Sequence, residues 1–168
     1  MKAIWALILL TLPIGCRGDS SASHNAQQTT DATHVIRLFP TATEVRLFVD
    51  TGRNDSNLHP ILTLANGRKL SVSQREKLEN SLVWNENYGK ELVAACFMPH
   101  HFFRYFDSKH RKLGEIAVCF CCGGVEVDKA DGTAIYPETR LNAHYAQLKA
   151  LVREMHEPTD IECSPNDG

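Results

Sequence analysis

The chain has 168 residues, 43% of them apolar and 23% charged, with ten Gly and seven Pro. That composition excludes a mostly disordered chain, a collagen-like fibre and a multi-pass membrane protein, and the length suits one domain. A net charge of −2 gives no electrostatic case for a nucleic-acid partner.

Residues 1–15 read as an export leader. Lys2 is the only charge before Arg17, residues 3–12 are apolar apart from Thr11, and small residues close the segment. The apolar run is too short to span a bilayer, which takes about 20 residues. Residues 16–33 carry Ser, Thr, Gln, Asn, Gly and Ala but no large apolar side chain, so they read as a flexible tether. One domain is expected over residues 34–158, followed by a loose polar tail over 159–168.

Within the domain, residues 34–39 and 43–49 read as strands. In the second, Val45, Leu47 and Val49 alternate with Glu44, Arg46 and Phe48. Residues 61–65 and 69–72 are expected to pair with each other across Asn66-Gly67, a hairpin turn signal. Ser73-Gln74-Arg75-Glu76 has the form of a capping box, followed by Leu78, Leu82 and Val83 on a helical stripe. Residues 92–97 read as a strand. Residues 102–106 and 113–120 read as a hairpin joined by the polar, basic tip 107–112, and 125–127 as a further strand. A last helix is expected from Pro137, with Leu141, Tyr145, Leu148, Val152 and Met155 at helical spacing and Pro158 as its stop. The order predicts an α+β fold, an antiparallel sheet with two helices packed on one face.

The leader's Gly15-Cys16 ending resembles the lipobox of bacterial lipoproteins. That resemblance covers the leader alone. Pro13 stands where the pattern usually has Leu, and Leu12 falls one residue earlier. It implies cleavage before Cys16, a diacylglycerol thioether on its sulfur and an acylated amino group. The protein would then be anchored through lipid in the bacterial cell envelope, outside the cytoplasm, with the membrane as partner.

Beyond Cys16 remain Cys96, Cys119, Cys121, Cys122 and Cys163, an odd number that cannot all pair within one chain. Cys96-x4-His101 and Cys119-x2-Cys122 have the short spacings of a tetrahedral Cys3His zinc site, and the hairpin between them would return its ends to one place. The same residues suit a disulfide from Cys96 to Cys119 or Cys122 across neighbouring strands, in keeping with an exported chain. A redox centre at Cys119-x2-Cys122 is disfavoured, because Cys119 ends a strand instead of opening a helix and two glycines follow Cys122. Cys96 with His100 or His101 would also supply the elements of a nucleophilic enzyme.

The run Cys96, Phe97, Pro99, His101, then Val118, Cys119, Phe120 and Cys122 resembles a pattern in small uncharacterised bacterial proteins, often lipoproteins by sequence. The resemblance favours His101 over His100 and Cys122 over Cys121, and implies no activity. Phe97, Phe102, Phe103, Tyr105, Phe106 and Phe120 crowd the same region and are expected in the core, or lining a shallow cleft beside the cysteines. The functional expectation is a lipid-anchored extracytoplasmic accessory or binding domain. A zinc-binding lipoprotein and a Cys–His enzyme are the alternatives.

Overall fold

Strand alternation organises the domain. In the computed structural model, residues 35–84, 97–135 and 141–163 are described, and they belong to one structural unit. The expectations for the leader, the tether, Cys16, residues 92–96 and Pro137 lie outside the described residues.

The main sheet is antiparallel and built around β1 (Glu44–Asn54). On one edge of β1 lie β2 (Pro60–Leu62) and β3 (Arg68–Lys69). These two segments were expected to pair with each other; each pairs with β1 instead. The Asn66-Gly67 turn is nonetheless real. Gly67 adopts φ +61°, and a Cβ there would meet the Leu47 carbonyl oxygen and the Phe48 ring. The turn thus folds back over β1, so its flanks follow that strand in succession.

After β3 comes α1 (Val72–Ser81), then β4 (Leu82–Trp84). The capping box forms two residues earlier than the sequence reading places it. Ser71 accepts from the Gln74 backbone N–H, and the Gln74 side chain accepts from the Ser71 N–H. Both Ser71…Gln74 and Ser73…Glu76 satisfy the sequence rule. Leu70, whose N–H donates to the Val45 carbonyl, is still held in the sheet, and the helix begins directly behind it. Leu82 and Val83, read as a continuation of the helix, instead pair with Ala143 and Asn142.

The other edge of β1 takes β5 (His101–Phe106), then β6 (Lys112–Cys119) and β7 (Gly124–Lys129), so the expected hairpin and its following strand are present. β8 (Leu141–Ala143) and α2 (Tyr145–Glu154) complete the chain order. Leu141 is expected on the apolar stripe of the last helix. It is a strand residue facing Trp84, and the helix starts at Tyr145. Residues 35–39 form no strand; Ile36 and Phe39 are buried in an irregular segment.

The register sorts side chains into two faces. Val45 opposes Tyr105, Leu47 opposes Phe103, and Val49 opposes His101. Phe103 opposes Ile116, which opposes Val127. This face is fully buried, and Leu78 of α1 and Leu148, Leu151 and Val152 of α2 belong to the same core. The fold is therefore α+β, with both helices against one face of an antiparallel sheet. Tyr105 opposes Gly114, where a Cβ would strike the Phe39 ring, so Phe39 fills that place in the row and packs 4.8 Å from Tyr105.

Three buried carboxylates tie the periphery to this core, each with a cation. Glu44 of β1 meets Lys69 and Arg46, which hold its carboxyl down at about 2. Glu79 of α1 meets Arg75, whose guanidinium also donates to the Ala42 and Phe39 carbonyls. Glu157, beyond α2, accepts from Thr63 Oγ1 and Arg68.

Leu78→Ala should cost about 2–5 kcal/mol in chemical denaturation, since Leu78 has no exposed surface. Arg68→Met should destabilise more than Glu157→Gln. The first strands a 6%-exposed carboxylate, whereas the second frees a half-exposed guanidinium that water can solvate. Because the Glu44 carboxyl is lowered on folding, its contribution is complete above about pH 4.5 and is lost as pH falls toward 2. In Glu44→Gln, urea midpoints measured across that window should show a smaller pH dependence.

Candidate functional site

The end of the sheet formed by Val49, His101, Val118 and Val125 carries the sequence's cysteine and histidine cluster. β6 and β7 are joined there by Phe120–Cys121–Cys122–Gly123, with Cys119 paired to Gly124 at the foot of the turn. Gly123 adopts φ +65°, which an L side chain rarely takes. Gly124 has no room for a side chain, because a Cβ would enter the Phe97 ring.

The four cysteines of this end form two disulfides. Cys119 is bonded to Cys122 within the turn, with Cα atoms 5.7 Å apart. Cys121 is bonded to Cys163, 42 residues on, with Cα atoms 5.3 Å apart. The expected bridge from Cys96 to Cys119 or Cys122 involves a residue, Cys96, outside the described ones; Cys119 and Cys122 are bonded to each other. Cys163, which the sequence reading left in a loose tail, is a bonded partner.

Between Pro158 and Cys163 the chain runs across this end of the sheet as an arm. The Pro158 carbonyl accepts from His101 Nε2 at 2.7 Å. Thr159 is buried and accepts from Arg153. Asp160 lies near Lys149 and Arg153, and Ile161 packs on the core. Glu162 approaches Gly52 of β1 and stands 3.8 Å from His100 Nε2. So residues 159–163, part of the expected tail, make polar, apolar and disulfide contacts with the sheet end and α2. Pro158 is an anchoring point for the arm, four residues beyond the end of α2.

His101 is 1% exposed and stacks edge-on against Phe120, with ring centroids 4.6 Å apart. A carbonyl can only accept, so Nε2 carries the proton, and the neutral ring leaves Nδ1 as a buried acceptor. That atom has no partner among the described residues. Burial pushes the His101 pKa down, opposed by the Pro158 carbonyl and by the charges of Glu157 and Asp160. His101 faces Val118 on the buried side of the sheet, and alternation turns the neighbouring Cys119 to the other side. The structure thus brings Cys119 and Cys122 together and keeps His101 apart from them. Among the described residues no group of three or more His, Cys, Asp or Glu side chains is disposed around a metal position.

The aromatic cluster divides by the same alternation. Phe103 and Tyr105 are core; Phe102 and Phe106 are half-buried on the outer face, where Arg104 lies 4.4 Å over the Phe48 ring. A cavity of about 410 Å³ opens on that face, with Phe48, Phe106, Arg46 and His110 among its walls. It sits at the opposite end of the strands from the cysteines, not beside them. A second cavity of about 530 Å³ lies between β3 and the start of α1, lined by Arg37, Lys69, Arg75 and Glu76.

Compared with family models, curated proteins and solved structures, the chain matches none of them.

Loop-closure entropy gives Cys121–Cys163 a contribution of about 4 kcal/mol, against about 2 kcal/mol for the short Cys119–Cys122 ring. Cys163→Ser should therefore lower the denaturation midpoint, and limited proteolysis should cut the arm near residue 160 first. Because the folded His101 pKa is lowered, the unfolded chain binds more protons below about pH 6.5. Stability should fall as pH drops below that value. Thermal midpoints of His101→Gln should lose this component of the pH dependence.

Proposed function

We propose that the chain is a lipid-anchored binding domain of the bacterial cell envelope. Its leader directs export, the lipid on Cys16 holds it at the membrane, and residues 17–33 let the domain stand off the surface. The observation that carries the reading is the pair of disulfides in a chain that begins with a lipobox-like leader. Disulfides persist in oxidising compartments and are rare in the cytosol, so the domain's own chemistry agrees with the address written ahead of it. Among the described residues no helix is long and apolar enough to cross a membrane, and the anchor in this reading is the acyl chains alone.

The domain acts by binding in this reading. Cys119, Cys121, Cys122 and Cys163 are engaged with one another, and His101 is committed to the Pro158 carbonyl, so these residues hold the arm and the β6–β7 turn in place. A zinc-binding lipoprotein is the competing assignment, and a Cys–His enzyme is the other.

Cys16→Ser should move the protein from the membrane to the soluble fraction, or leave it uncleaved. Unchanged membrane partition of that variant would overturn the anchor. Zinc content and free thiols, measured on one denatured, non-reduced sample, separate the other assignments. No thiol at residues 119, 121, 122 and 163 is the expected result; one zinc per chain with free thiols there transfers the assignment to the metal-binding reading.

A further inference from the structure

We propose that the Cys119–Cys122 disulfide is a thiol–disulfide exchange centre for dithiol and disulfide partners, with Cys122 the sulfur attacked and Cys119 the sulfur that leaves. Cys121–Cys163 remains closed throughout and keeps the arm in place.

The two sulfurs of the turn sit in unequal surroundings. Cys119 ends β6 and is 3% exposed, while Cys122 is part-exposed at the turn. Exchange requires a thiolate to reach one sulfur of the bond, and of the two residues Cys122 is the more exposed. Gly123 adds no side chain beside Cys122, and apart from its chain neighbours a Cβ built there would meet nothing among the described residues nearer than the Tyr145 ring at 3.9 Å. A side chain at Gly123 would strain the backbone, which has a positive φ there.

Cys119 is equipped to leave. The Cys122 backbone N–H points at Cys119 Sγ from 3.2 Å. Burial disfavours a thiolate, and a hydrogen bond to the charged form offsets that cost. The donor is supplied by the attacked residue itself, so it stays in place when the bond opens.

The fold also tolerates the open state. Cys119 remains paired to Gly124 in the β6–β7 ladder, and the arm remains bonded through Cys121. Opening a bond that spans three residues releases no element of the domain.

The step balances with a dithiol partner. Its thiolate attacks Cys122 Sγ, a mixed disulfide forms, the Cys119–Cys122 bond breaks, and the electron pair goes to Cys119 Sγ, which takes a proton from solvent. The partner's second thiolate then attacks its own sulfur in the mixed disulfide and expels Cys122 as thiolate. Two electrons have passed from the partner, now a disulfide, to Cys119 and Cys122. With a disulfide partner the same steps run in reverse.

The test uses the full chain purified in detergent without reductant and equilibrated with graded ratios of reduced and oxidised glutathione. Alkylation and peptide mapping then report each cysteine. Cys119 and Cys122 should become alkylatable at ratios that leave Cys121–Cys163 intact and the circular dichroism spectrum unchanged. Under oxidised glutathione, Cys119→Ser should carry glutathione on Cys122 at least tenfold faster than Cys122→Ser carries it on Cys119. Release of all four cysteines together, only with loss of the folded spectrum, overturns the proposal. So does a Cys119 that reacts as fast as Cys122. Should either variant fail to fold, the order of release in the unaltered chain still decides.

Discussion

The buried face of the main sheet is the constraint on which the rest of the molecule depends. β1, β5, β6 and β7 place Leu47, Phe103, Ile116 and Val127 in one continuous row, flanked by a row through Val49, His101, Val118 and Val125. Large side chains in adjacent rows remove a wide apolar surface from water, and the helices are retained because they cover it. A shift of one residue in any of these strands would turn its apolar set to the outer face, so the same rows also fix the register. The one gap in the pattern, Gly114, is filled from outside by Phe39, which is how the irregular segment before β1 is held without a strand of its own.

Electrostatics completes what packing begins. Glu44, Glu79 and Glu157 are buried acids in three different parts of the chain, and each meets a cation. Such pairs contribute little net stability compared with apolar replacements, but each becomes costly when one member is missing. Their effect is to penalise misplaced edges. β3 has only two residues, yet Lys69 on Glu44 and Arg68 on Glu157 leave it one position to occupy.

What the sequence made legible follows from period and length. The β5–β6 hairpin was readable because two apolar runs, 102–106 and 113–120, flank the polar, basic tip 107–112. β8 was not, because three residues carry no period, and Leu141, Tyr145 and Leu148 fit a helical stripe equally well. The helix cap was ambiguous between Ser71 and Ser73, and only a backbone bond from Leu70 to β1 decides between them. At the candidate site, the cluster of cysteines was visible and its connectivity was not, since spacing does not determine pairing. Cys163 was missed because the polar residues around it resemble a free terminus. Its signal was Ile161, the one large apolar side chain beside it.

The bridge from Cys121 to Cys163 gives the molecule a covalent topology that its fold alone does not have. Everything from the β6–β7 turn through β7, β8 and α2 lies inside a closed ring of main chain and sulfur. A single peptide-bond cut within that ring, including one in residues 136–140, leaves both pieces joined. A protease in the surrounding medium must therefore cut twice, or a reductant must act first, before any of β7, β8 or α2 is lost from the chain.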